Sequence, residues 1–290
     1  MFTIFRNAFS RYRGQILGWG IALGLLCLYL AQFYDTIASQ KEAYLEMVES
    51  FPKELMAFFS TNEAAEMFTP SGFLNIEFFS YMPIIIGIFA ILAGSGMLAG
   101  DEESGTMDLI LAHPVSRTAL FVGRSLAFLI ATIGILVINW VGFLIGLPGS
   151  GLDLNAFELG SPFISLFAQL MRYGTMALVL SMLLPSRRMA AMTSGILMIA
   201  SFFITALARL DKSLETLAKI SPMNYYQGGQ AIDGLKWGWA IGLLGISALF
   251  VLIAWWRFER RDIRVGGEGG WRIPIILRLR RRQEAAGTGG

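Results

Sequence analysis

Long runs free of charged residues set the frame for this chain. Uncharged stretches of 21, 23, 28, 20 and 20 residues lie between Arg13 and Asp35, Glu77 and Asp101, Arg124 and Asp153, Arg188 and Arg209, and Lys236 and Arg257. A helix needs about 20 residues to cross about 30 Å of hydrocarbon, and each run meets that length. The runs are continuously apolar rather than alternating, which predicts helices and not barrel strands. A further crossing is predicted between Gly160 and Ser186, interrupted only by Arg172. Without it, the charge pattern of the flanking loops would break. The expected fold is an all-α integral membrane protein with six transmembrane helices within residues 14–258.

The polar and aromatic spacing outside the spans adds detail. Phe2, Phe5, Phe9 and Tyr12 recur at helical spacing, with Arg6, Asn7, Ser10 and Arg11 between them. This predicts an interfacial, amphipathic elbow helix over residues 1–13, ahead of the first span. The outer segment over about 35–73 carries Tyr44, Met47, Val48, Phe51, Leu55, Phe58 and Phe59 among acidic residues, which predicts one or two surface helices. A second outer segment, about 211–236, contains Ser221-Pro222-Met223-Asn224-Tyr225-Tyr226, where helix continuity breaks. Residues 259–290 form a basic tail, expected to lie against an anionic inner leaflet.

Composition supports lipid as the solvent. The chain is 55% hydrophobic and 15% charged, against about 25% charged residues in soluble domains. The single cysteine, Cys27, excludes a disulfide framework and a thiolate metal cluster. Six spans put both termini on one side. That side holds 16 Lys and Arg against 8 Asp and Glu, and the other holds 6 against 13, with Arg172 outside both counts. The basic side is expected to be cytoplasmic. No small-residue cleavage site follows the first span, so it is expected to remain as an anchor.

The most informative polar stretch is Gly100 to Arg117, the turn after the second span. Asp101, Glu102 and Glu103 close that span, and Gly105 permits a sharp change of direction. The Thr106 hydroxyl can cap a short helix of about two turns. Met107, Ile110 and Leu111 share one face of that helix beside Asp108, and Pro114 ends it. Two readings remain open. The helix lies across the inner membrane face and presents apolar and acidic groups to the cytosol, or the turn is a solvated loop whose acids cap helices.

The pattern Glu102-Glu103-x-Gly105-Thr106, followed by Pro114-Val115-Ser116-Arg117, resembles the membrane subunits of ABC transporters of the type-two permease family. So does the order of an interfacial helix, six spans and a Ser221-Pro222-x-x-Tyr225 segment before the last span. The resemblance implies that Thr106 to Ala112 form a coupling helix, which docks into a groove on a separate cytoplasmic ATP-binding subunit. The implied ATPase-coupling residues are Glu102, Glu103, Gly105, Thr106, Met107, Asp108, Ile110, Leu111, Pro114 and Arg117. It further implies two copies of that partner, which bind the ATP and Mg, and a second permease subunit, identical or homologous. It implies too that the outer segment before the last span dips back into the membrane.

Other patterns carry less. Gly94-Ser95-Gly96 has the letters of a dinucleotide fingerprint but lies inside an apolar span, where small residues let helices approach. No Gly-x-x-x-x-Gly-Lys-Ser/Thr occurs, so no nucleotide site or other catalytic site is expected in the chain. His113 stands alone and cannot build a zinc site. No Asp or Glu lies in the middle of a span, which weighs against an ion-coupled carrier. Ser161, Ser165, Gln169 and Arg172 fall on one helical face. Placing Arg172 against lipid costs several kcal/mol on some scales, so this face is expected to meet protein or a water-filled cavity. The candidate translocation path comprises Asn139, Ser165, Gln169, Arg172, Ser194, Ser201 and Thr205. A packing hydrogen bond or an outward-snorkelling arginine is the other reading of Arg172.

The chain is expected to be the permease subunit of an ATP-driven exporter in a bacterial or archaeal cell membrane. The expected cargo is amphiphilic or lipophilic (a drug, an antibiotic or a lipid). The expected partners are the ATPase, the second permease and membrane lipid, not nucleic acid. A non-transporting membrane scaffold or sensor is the alternative.

Overall fold

The structure, a computed structural model, describes residues 2–42, 68–113 and 115–260. The surface helices expected within 43–67, Pro114 and the basic tail from 261 onward lie outside these residues. No strand occurs among the described residues.

The first helix, α1, runs unbroken from Phe2 to Ala38, a length of about 55 Å at about 1.5 Å per residue. A separate elbow over residues 1–13 is therefore not formed. No proline lies between Phe2 and Ala38, and Phe5 stacks on Phe9 one turn on at 5.7 Å, so nothing interrupts the backbone ladder. Charges at Arg6, Arg11 and Arg13 set the polarity of this end of the helix, not its end point.

The second span is broken, where one continuous helix was expected. Thr69 caps α2 (Pro70–Leu74) by accepting the Gly72 N–H. A π-helical turn, Asn75–Phe79, follows, and α3 (Met82–Gly96) leaves it at a bend of 41°. Pro83 explains the break. It has no N–H to give the Phe79 carbonyl four residues back. The Tyr226 hydroxyl donates to that carbonyl instead, at 2.8 Å. Phe78 and Phe79 on the widened turn pack against Phe143 and Phe163, with ring centroids 5.2–6.2 Å apart. Such pairs add about 0.5–1.5 kcal/mol each beyond area burial, which holds the bend in place.

Two short helices follow at the arginine-rich end, α4 (Ala99–Glu103) and α5 (Met107–Leu111). Then come α6 (Arg117–Gly146), α7 (Ala156–Leu183) and α8 (Arg187–Leu207). Each of these three starts on a side-chain cap: Ser116 for α6, Asn155 with Glu158 for α7, and Ser186 for α8. The segment before the last span folds into single turns at Lys212–Leu214, Pro222–Tyr225 and Gly228–Ile232, with α9 (Glu215–Ile220) among them. The last helix, α10, spans Trp237–Arg260. Among the described residues, five helices are long and apolar enough to cross a membrane, or six where the bent α2–α3 pair counts as one span.

Helix α7 is the hub. It packs against α3, α6, α8 and α10, while α1 packs along α6. Its most apolar window is 72% buried, against 22% for α10 and 33% for α1 and α8. Those three helices therefore turn apolar faces outward. The α3–α7 contact is backbone to backbone: a Cβ at Gly94 would run into the Gly174 carbonyl. The glycines of the rejected fingerprint serve helix packing, as expected from their place in a span.

Candidate functional site

The turn is built from the end of α4 upward. Gly105 takes φ +69°, a left-handed conformation that costs a Cβ-bearing residue about 1–2 kcal/mol. The Thr106 N–H then reaches back to the Asp101 carbonyl at 2.9 Å, and the Gly105 N–H to the Glu102 carbonyl at 3.2 Å. These two bonds form a Schellman motif that closes α4 and reverses the chain. The sequence predicts a Thr106 hydroxyl cap on α5, but the hydroxyl makes no such bond. That hydroxyl donates to Asp101 Oδ1 at 3.2 Å and meets Ser104 Oγ at 2.9 Å.

Two of the acids, Asp101 and Glu102, face inward, which corrects for them the expectation of acids turned to the cytosol, while Glu103 and Asp108 are exposed. Asp101 and Glu102 are buried. Asp101 accepts from Arg11 of α1 at 3.1 Å and from the buried Arg124 of α6. Arg124 also donates to the Met97 carbonyl at 2.7 Å, beyond the end of α3. Burial pushes the Asp101 carboxyl up, but the charges and hydrogen bonds of Arg124 and Arg11 outweigh it and hold the carboxyl below the ordinary value. Glu103 accepts the Arg187 backbone N–H at 2.6 Å, at the start of α8. Capping by the acids, the second of the two sequence readings, thus applies to Glu103.

The apolar face of α5 is also turned inward. Met107 is 1% exposed, and Ile110 and Leu111 pack beside it on the core. The outward face holds Asp108, Leu109, Ala112 and His113, with Leu109 68% exposed. Arg117 donates to the Phe258 carbonyl at 3.2 Å and so caps the end of α10. The root of α5 is thus tied to α1, α6 and α8.

The polar faces of α7 and α8 meet one element, residues 221–227. Ser165 accepts the Gln227 N–H at 3.0 Å. Gln169 donates to Met223 Sδ at 3.8 Å. Ser221 Oγ lies 2.6 Å from Ser201 Oγ and 2.9 Å from Thr205 Oγ1. Ser161 is buried one turn before Ser165. Arg172 sits over the Tyr173 ring at 5.0 Å, with Nε and Nη1 buried and without a hydrogen-bond partner among the described residues. Asn139 and Ser194 are fully buried, also with unpaired polar atoms, and are not joined to this cluster by any hydrogen bond. Sequence reasoning thus found a face that meets protein. It missed what covers it, and it missed Asn75, whose Oδ1 accepts the Gly229 N–H at 2.9 Å. Pro83, a start signal for a helix, was the cue for that broken region.

A family model described as ABC-2 family transporter protein matches residues 2–263. The chain belongs to this family. It is also 25% identical over 204 residues to the uncharacterized protein YhcI of Bacillus subtilis (strain 168), which covers 62% of this chain and 65% of that relative. Membership in the ABC-2 family, with the apolar helices above, makes the chain an integral membrane protein of the cell membrane. For an ABC-2 transporter protein the two polar sites fall on different parts of the chain. The Asp101 knot lies on the α4–α5 turn at the arginine-rich end, and the Ser221–Gln227 element is packed among α7, α8 and the bent span.

Proposed function

We propose that this chain is the permease subunit of an ATP-driven exporter, with both termini and the α4–α5 turn in the cytoplasm. The observation that carries this reading is the turn itself: α5 is anchored through Met107, exposes Asp108 and Leu109, and is tied by Asp101 and Glu103 to three long helices. A separate ATP-binding subunit docks on the exposed face, and ATP and Mg are bound there rather than in this chain. The inward acids set the geometry of the turn, and Leu109 with Asp108 makes the contact. Two such subunits serve two permease chains, identical or homologous, whose outward apolar faces on α1, α8 or α10 meet each other or lipid. Closure of the ATPases moves the permeases as rigid bodies between inward- and outward-open states. The cargo is amphiphilic or lipophilic. The segment 221–232 dips into the membrane and moves during the cycle, exposing the polar faces of α7 and α8.

The test is co-expression of the full chain with the cassette ATPase encoded nearest to it. Co-purification, and loss of it in Leu109→Arg, is the expected result. An ATPase that binds equally well to Leu109→Arg, or does not bind the chain at all, overturns the reading.

A further inference from the structure

A second charged feature lies on the membrane-facing side of the same region. A cavity of about 160 Å³ opens between α1 and α3, and Arg11, Arg124 and Arg187 all line it. No carboxylate is among its lining residues. Two acids adjoin the lining: Asp101 is shared between Arg11 and Arg124, and the Glu103 carboxylate is engaged by the Arg187 backbone N–H. The guanidinium of Arg187 has no carboxylate within ion-pair distance among the described residues. It lies over Gly96, where an added Cβ would come within 2.9 Å of its central carbon. The absence of a side chain there lets the guanidinium reach the cavity. Tyr12 adds a hydroxyl to the wall.

Apart from Gln15 on the rim, the rest of the lining is apolar. Leu92, 46% exposed, and Ala93 continue its wall along α3 toward the middle of that span. The arginines stand where charge-free intervals begin: Arg11 just ahead of the first, Arg124 at the start of the third, and Arg187 at the start of α8. With the spans so placed, they fall at one membrane–water boundary. A ligand for this place carries an anionic phosphate ester at the boundary and a hydrocarbon chain below it. Basic pockets between membrane helices on the cytoplasmic side have this specificity in general.

We propose that the Arg11–Arg124–Arg187 cavity binds the phosphate headgroup of an anionic phospholipid, with one acyl chain along Leu92 and Ala93. A soluble phosphate shares the headgroup chemistry but gains nothing from the apolar wall. The site touches both arginines that hold Asp101, so occupancy bears on the root of the α4–α5 turn. The proposal rests on the membrane placement of the chain, not on ATPase docking.

The test uses the full chain purified in detergent. Native mass spectrometry reads retained lipid and thermal unfolding reads stabilisation, with phosphatidylglycerol, phosphatidylcholine and inorganic phosphate each added alone. The expected result is retention and stabilisation by phosphatidylglycerol only, weakened about fivefold in Arg187→Gln and partly restored in Arg187→Lys. Equal retention of phosphatidylcholine overturns the proposal, as does unchanged phosphatidylglycerol binding in Arg187→Gln. Equal stabilisation by inorganic phosphate overturns the lipid assignment in favour of a soluble anion. Should Arg187→Gln fail to fold, Gln15→Glu decides: it puts a repelling carboxylate on the exposed rim. Weakened phosphatidylglycerol binding in that variant supports the site, and unchanged binding overturns it.

Discussion

Glu103 and Arg187 are 84 residues apart in sequence, yet the Glu103 carboxylate accepts the Arg187 backbone N–H at 2.6 Å. The last residue of α4 thereby satisfies one of the orphan donors that open α8, and a carboxylate there also suits the helix dipole. Glu103→Ala is expected to cost about 1 kcal/mol, the usual worth of a cap, while Glu103→Gln keeps an acceptor and retains most of it. Thermal unfolding of the purified variants checks this. Equal losses in the two would mean that the charge, not the cap, is the relevant property.

Leu109 has a different role, since it is 68% exposed on a five-residue helix whose buried side is Met107. Replacing an exposed side chain rarely changes stability by more than about 0.5 kcal/mol. Leu109→Arg should therefore leave the unfolding temperature of the isolated chain unchanged and remove ATPase binding. Met107→Ala is the opposite case: a fully buried side chain is truncated at a cost of about 2–5 kcal/mol. A variant pair in which both mutations only destabilise would argue that α5 has no outward role.

Asp101 supplies the pH dependence. Its native carboxyl titrates below the ordinary value of 3.8, because the attraction of Arg124 and Arg11 exceeds the burial that pushes it up. The sign follows from linkage. A depressed carboxyl contributes stability that is fully present above the unfolded value and lost as pH falls through the native one. The difference in stability between wild type and Asp101→Asn should therefore be constant from about pH 5 to 8 and shrink only below about pH 4. Asp101→Ala leaves Arg124 buried without its carboxylate, a loss of about 3–5 kcal/mol. A wild-type advantage that faded near neutral pH would contradict the Asp101–Arg124 pairing.

The sequence made spans one, three, five and six legible for a simple reason: charge cannot enter lipid cheaply, so the uncharged intervals mark them, while span four, interrupted by Arg172, followed from the charge pattern of its flanking loops. The same reasoning hid the break in the second span, because Pro83 is apolar and leaves the interval uninterrupted. Helical spacing correctly grouped Met107, Ile110 and Leu111, but spacing says which residues share a face and not what covers it. The Asp101 pairs with Arg11 and Arg124 join positions 90 and 23 residues apart. Local patterns carry no trace of contacts at that separation. Likewise, the stripe from Ser161 to Arg172 announced a polar environment, while its partner, residues 221–227, arrives only through tertiary packing.

The last prediction concerns that packed segment. Gly229 sits where α2 and the π turn press closest: an added Cβ would meet the Ser71 carbonyl oxygen at 2.5 Å and the Asn75 side chain at 2.6 Å. Backbone on one side and a hydrogen-bonded Asn75 on the other leave no soft neighbour to yield. Gly229→Ala should therefore push residues 221–232 out of their seat without touching the α4–α5 turn. The chain offers a clean reporter, because its single native cysteine, Cys27, is buried. Ser221→Cys exchanges near-equal volumes at a position 6% exposed and should react slowly with a membrane-impermeant maleimide. Adding Gly229→Ala should speed that reaction at least about fivefold, since a clash of about 1–3 kcal/mol on the closed form raises the open population by about fivefold to a hundredfold. Unchanged labelling would mean that the segment is fixed by its Ser201, Thr205 and Ser165 contacts alone, and that Asn75 and the bent span do not control it.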